Sequence, residues 1–222
     1  MMTNLFSTFD PSTSMMLSLN WVSMVIILMI IPMNYYFLPS RFMSLINSIY
    51  MKLNMEFKVL LGDKSKGFDL VFVSLFMFIL MNNLFGLIPY IFTSSSHLVF
   101  SLSLALPLWL SIMLFSWINL TQKMLAHLIP MGTPPLLMPF MVIIETTSNI
   151  IRPGSLAVRL MANMVAGHML MSLLGNNIMN SSMLLMMMLM LIQMMLMLFE
   201  TAVALIQAYV FTILSTLYSS EV

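Results

Sequence analysis

The chain contains no cysteine, which excludes disulfides, thiolate metal sites and thiol chemistry while leaving the redox compartment open. Charge is almost as scarce. Asp, Glu, Lys and Arg make up 7% of the 222 residues, against roughly 25% in ordinary soluble domains. Eight basic and seven acidic side chains cannot form the charged shell that a soluble fold of this length needs. A net charge of +1 offers no electrostatic basis for nucleic-acid binding. No internal repeat of fixed period is visible. What fills the chain instead is apolar: 61% hydrophobic residues and a mean hydropathy of +1.03, values that exclude disorder. The composition is that of an integral membrane protein.

Residues 1–14 carry Asp10 and no Lys or Arg, so they are neither a secretory n-region nor an Arg-rich transit peptide. The chain is expected to insert where it is made, without a cleaved address. Residues 15–38 are free of charge and long enough for one crossing, at about 20 apolar residues per span, with Pro32 near the end and Tyr35 and Tyr36 as interfacial anchors. Residues 68–92 and 97–119 form a second and a third span, separated by TSSS. Trp109 and Trp117 mark the later part of the third.

Residues 41–62 read differently. Phe42, Leu45, Ile46, Ile49, Leu53, Phe57 and Leu60 recur at helical spacing, and Ser44, Ser48, Lys52 and Glu56 step by four along another face. This predicts a helix lying in the membrane interface, or else one packed on a soluble partner. Arg41, Lys52, Lys58, Lys64 and Lys66 all follow the first span, and Lys123 follows the third. Segments 1–14, 93–97 and 176–182 have neither Lys nor Arg. By the positive-inside rule the N-terminus lies outside and residues 41–67 inside.

The C-terminal half holds the two longest apolar stretches. Residues 134–175 are interrupted by Pro153-Gly154, and 183–218 contain Glu200 as their one charge. As a single helix the latter is about 54 Å long. Crossing a hydrocarbon core of about 30 Å then needs a tilt near 56°, beyond the usual 0–40°. The helix must bend, protrude or incline, and an inclined hairpin of 134–175 and 183–218 is the favoured arrangement. The expected fold is thus all-α and polytopic, a single membrane domain over 1–222. It has an N-terminal span, an interfacial helix, a two-span hairpin and an inclined C-terminal hairpin with a break near 153–154.

Ionisable residues inside spans cost about 2.5–3.5 kcal/mol each on insertion scales, so Glu145, Arg152, Arg159, His168 and Glu200 each need a reason. Glu145, Arg152 and Arg159 are spaced by two helical turns and share a stripe with Asn149 and Asn163, provided the helix continues through Pro153. His168 lies about 180° around the helix from Arg159. Gln193, Glu200 and Gln207 form a second stripe on the last helix. The bland reading is structural, with Glu200 paired to a basic residue and the glutamines bridging helices. His127 and a lone His168 are weak signals. As a set the residues suit proton movement. Glu and His exchange protons when tuned by their surroundings, whereas Arg stays charged and acts as a carboxylate partner or a barrier. Relay groups beside a permanent cation suggest two separated access paths.

The stretches AVRLMANMVAGH (157–168), ETTSNIIRPGSLAVRL (145–160), ETAVALIQAYVF (200–211) and NNLFGLIPY (82–90) closely resemble subunit a of the F-type ATP synthases in its mitochondrial form. The PSTS start and the LYSSEV end are similar to insect versions. The resemblance covers essentially the whole chain. It implies a non-catalytic, proton-translocating stator subunit in the mitochondrial inner membrane, multi-pass, with the N-terminus in the intermembrane space and residues 41–67 on the matrix side. Its implied partners are the ring of c subunits, other membrane-sector and peripheral-stalk subunits, protons and lipid. On that resemblance Arg159 matches the essential arginine that attracts a ring carboxylate and blocks short-circuits. His168 and Glu200 belong to the outer half-channel, Glu145 to the matrix-side path, and Asn163 and Gln207 neighbour Arg159. No cofactor or metal is implied. The alternatives are a proton-coupled transporter or respiratory-complex subunit, which usually carries intramembrane Lys/Glu pairs or inverted repeats, and a structural anchor.

Thirty residues are methionine. The run MLLMMMLMLIQMMLM could be a thioether tract for Cu(I), but its methionines point to every side of the helix, and a ligand cluster would face one way. Methionine is an adaptable apolar filler. The resemblance supplies a cause, since AT-rich mitochondrial genomes read ATA as Met.

Overall fold

The computed structural model describes residues 5–14, 17–30, 38–62, 67–129, 134–179 and 181–220, and among these there are helices and no strand. A 3-10 turn over Leu5–Phe9 comes first. A second, Leu19–Trp21, leads into α1 (Val22–Ile30). The remainder of the span expected over 15–38, with Pro32, Tyr35 and Tyr36, lies outside the described residues, as do Lys64 and Lys66. Then follow α2 (Arg41–Leu61), α3 (Phe68–Gly86), α4 (Leu98–Asn119), a short α5 (Thr121–His127) that carries Lys123, α6 (Met138–Met179) and α7 (Met183–Ser220). Helices α3, α4, α6 and α7 are each long and apolar enough to cross a membrane. The protein is an all-α polytopic membrane protein.

Its core lies where α3 packs on α7, α4 on α6, and α6 on α7. Phe57, Phe72, Phe76, Ile79, Leu160 and Phe211 supply the bulk, and Ala105, Ala157 and Ala208 the close approaches. Small residues at crossings matter in lipid, where association depends on van der Waals contact between backbones.

Helix α2 opens with a cap, the Ser40 Oγ accepting from the Met43 N–H at 3.3 Å. It closes at Gly62, whose φ of 70° is one that L side chains rarely adopt. The buried stripe is Met43, Ile46, Leu53 and Phe57, directed at α3 and α7. Phe42, Leu45, Ile49 and Leu60, named with Ile46 in the sequence pattern, are exposed instead. The apolar arc is wider than one packing face, so half of it turns away from the bundle. Glu56 accepts a hydrogen bond from the Tyr209 hydroxyl of α7 at 3.2 Å.

Two further differences stand out. The break expected near 153–154 is absent: α6 runs unbroken through Pro153, which is buried. A proline removes one helical N–H, orphaning only the carbonyl four residues back, at Asn149, and the remaining turns hold. The helix therefore has 42 residues and α7 has 38, about 63 and 57 Å of rise. Both are about twice the thickness of a hydrocarbon core.

The TSSS segment is also no surface loop. Ser94–Ser96 form a 3-10 turn, and Thr93, Ser94, Ser95 and Ser96 are all buried against α3, α4 and α6. The Ser94 hydroxyl donates to the Asn82 side-chain carbonyl at 3.1 Å. The next residue, Asn83, donates its amide to the Ala204 carbonyl of α7 at 3.5 Å. Trp21 sits edge-on to Phe92 at 5.7 Å and beside His97 at 5.2 Å, so the start of α1 is fastened to the α3–α4 turn.

Candidate functional site

Two contacts set the register of the long helices. The Arg152 guanidinium of α6 lies over the Tyr218 ring of α7, 5.1 Å from its centre, and Gly167 of α6 meets the Glu200 carboxylate of α7. Residue numbers rise along one helix as they fall along the other, so α6 and α7 are antiparallel.

At the second contact the fit leaves no room for a side chain. A Cβ placed on Gly167 would lie 2.6 Å from Glu200 Oε1 and 2.7 Å from its Cδ. Glu200 is only 8% exposed, and neither carboxylate oxygen has a hydrogen-bond partner among the described residues. A carboxyl group in that setting is costly as an anion. It sits at the edge of a cleft of about 350 Å³ between α6 and α7, lined in part by Asn163, Ala166, Gly167, Glu200, Val203 and Gln207. Asn163 and Gln207, both picked out in the sequence, thus share one cleft with Glu200.

His168 follows Gly167, which brings it to the level of Glu200. Its ring is half-buried and turned to a different neighbour: Phe9 of the first 3-10 turn, at 6.2 Å and 82° between planes. Its Nε2 is buried without a hydrogen-bond partner among the described residues.

Arg159 lies one turn before Asn163 on the same stripe of α6. It is exposed, and among the described residues no ion pair or hydrogen bond engages it. Neither Asn163 nor Gln207 bonds to it. The stripe expected to join Glu145, Arg152 and Arg159 splits: Glu145 pairs with Arg152 at 3.6 Å, and Arg159 stands apart. From Arg159, His168 is about 13 Å along the helix in one direction and Glu145 about 21 Å in the other. Among the described residues no three His, Asp or Glu side chains converge on a metal-sized site.

Gly167 and Phe9 carry contacts that sequence reasoning did not assign. A glycine inside a long helix costs about 1 kcal/mol relative to alanine, which is the signal that could have marked Gly167. Nothing local marks Phe9.

The fold and these side chains define a class: a polytopic helical membrane protein with an exposed arginine and a buried carboxylate on adjacent antiparallel helices. The profile of the ATP synthase A chain family matches residues 15–220. ATP synthase subunit a of Drosophila simulans is 60% identical, and those of Anopheles gambiae and Drosophila melanogaster 59%, each over 100% of both chains. The chain belongs to the ATP synthase A chain family.

Proposed function

We propose that the chain is the proton-translocating stator subunit of the membrane sector of a mitochondrial F-type ATP synthase, and that it forms two offset half-channels against a ring of c subunits. The observation that carries this reading is the order of groups along α6. An exposed arginine, unpaired among the described residues, stands between His168, at whose level Glu200 of α7 is buried against Gly167, and Glu145 toward the opposite end.

Protons enter on the Glu200 side, where His168 and the cleft lined by Asn163 and Gln207 provide polar footholds in an apolar bundle. They pass to a ring carboxylate, which becomes neutral and can face lipid. After the ring turns, they leave by the path that contains Glu145. A returning ionised carboxylate is held by Arg159, whose guanidinium cannot give up its proton. That same charge repels a proton attempting to pass directly between the paths. The membrane potential supplies about 2.3 kcal/mol per charge per 100 mV. No bond is made or broken on this chain; ATP chemistry belongs to other subunits, and peripheral-stalk subunits hold the stator still. By the positive-inside rule, the basic residues of 41–67 support a matrix-side location for that segment and an N-terminus in the intermembrane space.

Arg159→Ala tests this directly. In the assembled complex it abolishes ATP-driven proton pumping while the amount of complex stays near normal. Pumping that survives the substitution eliminates the barrier role.

A further inference from the structure

Among residues 1–40 the one charged side chain is Asp10, and its neighbour Phe9 is seated on the histidine of the proposed outer path. Phe9 ends the Leu5–Phe9 turn, which packs on α6, and Asp10 directly follows it. The turn is fastened. The Thr8 hydroxyl donates to the Leu5 carbonyl at 3.0 Å, and the Asp10 carbonyl accepts from the Asn20 amide at 3.1 Å. The Asp10 side chain is exposed, one residue from a ring that packs on an imidazole whose Nε2 is buried and without a partner among the described residues.

We infer that Asp10 is the proton-collecting group at the mouth of the outer path and that Phe9 is a positioning residue. Phe9 holds the N-terminal turn over His168 and closes that side of the imidazole to bulk water. This rests on the proposed assignment of His168 and Glu200 to the outer half-channel. A carboxylate at a pore mouth captures protons from dilute solution and hands them inward, and it matters most where mobile buffer is scarce. Against the turn, α6 contributes His168, with Glu200 of α7 beyond Gly167; the Leu19–Trp21 turn that holds Asp10 through Asn20 sets Trp21 beside His97, the residue before α4. The segment Leu19–Ile30 contributes no titratable group. Among the described residues of the N-terminal segment, Asp10 is therefore the carboxylate, and it is exposed.

The experiment uses the complete complex in liposomes and measures proton-driven ATP synthesis with low and high buffer on the N-terminal side. Asp10→Asn lowers the rate about three- to tenfold at low buffer, and high buffer restores it; Asp10→Glu stays close to the unsubstituted chain. Phe9→Ala lowers the rate at both buffer strengths, and Phe9→Leu recovers most of it. An Asp10→Asn rate that matches the unsubstituted chain at low buffer, or a deficit that buffer does not relieve, overturns the inference. Arg159→Ala runs alongside. If it stops coupled transport while Asp10→Asn has no effect, only the role of Asp10 falls; if it leaves transport intact, the half-channel assignment falls with it.

Discussion

At the scale of single residues, the tightest constraint is the space between Gly167 and Glu200. A mid-helix Gly→Ala change ordinarily stabilises by about 0.5–1 kcal/mol. At Gly175, where an added Cβ meets nothing within 4 Å, that sign should hold. At Gly167 the same methyl collides with a carboxylate, and overpacking typically costs about 1–3 kcal/mol. Gly167→Ala should therefore lower thermal stability of the complex and slow proton pumping, while Gly175→Ala does neither. Glu200→Asp withdraws the carboxylate by one methylene. Combined with Gly167→Ala, it should give a smaller added loss than Gly167→Ala gives alone, a coupling that a double-mutant cycle measures. Strict additivity would mean that the two groups do not share this space.

At the scale of elements, Glu145 has two roles to separate, since it pairs with Arg152 and also belongs to the proposed inner path. The pair is long, and its side chains are 30% and 38% exposed, so it contributes about 1 kcal/mol at most. Arg152 retains its seat over Tyr218 without it. Glu145→Gln should cut ATP-driven pumping severalfold with assembly intact, and Arg152→Gln should leave pumping much closer to normal. Equal losses from the two would reduce Glu145 to a structural partner. The helices themselves were legible as uncharged apolar runs, because period and length are local properties. Pro153 misled because losing one hydrogen bond costs less than ending a helix of 42 residues. The burial of the TSSS segment was not legible, because serines are mostly exposed residues; here the Ser94 hydroxyl donates to Asn82 and that of Ser96 to the Thr93 carbonyl, while the Ser95 hydroxyl is buried without a partner among the described residues. The ionisable side chains stood out against the apolar background. Phe9 did not, since an N-terminal phenylalanine becomes informative only when the fold carries it to His168.

At the scale of the whole molecule, helix length and residue order combine. If the roughly 63 Å of α6 is to lie within a hydrocarbon core of about 30 Å, the helix inclines by about 60° from the membrane normal. Glu145 and His168 are then separated by about 34 Å along the axis, which resolves into about 17 Å of depth and about 30 Å across the membrane plane. A steep helix would stack the two groups almost directly above one another. An inclined one displaces them sideways, so a ring carboxylate must travel to get from one to the other. Arg159 sits between them in both directions, and its effect on leakage should depend on that intermediate position more than on the residue number. Asn163 offers a test, because it lies one turn further along the same stripe and already lines the cleft beside Glu200. Arg159→Gln alone should open a passive proton leak through the nucleotide-free complex. Arg159→Gln with Asn163→Arg restores a cation about 6 Å along the helix, about 3 Å in depth, and should return the leak to near its original level. Pumping should stay reduced, because the charge now crowds the Glu200 side and meets the ring carboxylate out of place. A leak that persists in the double variant would tie the barrier to the guanidinium at 159 itself.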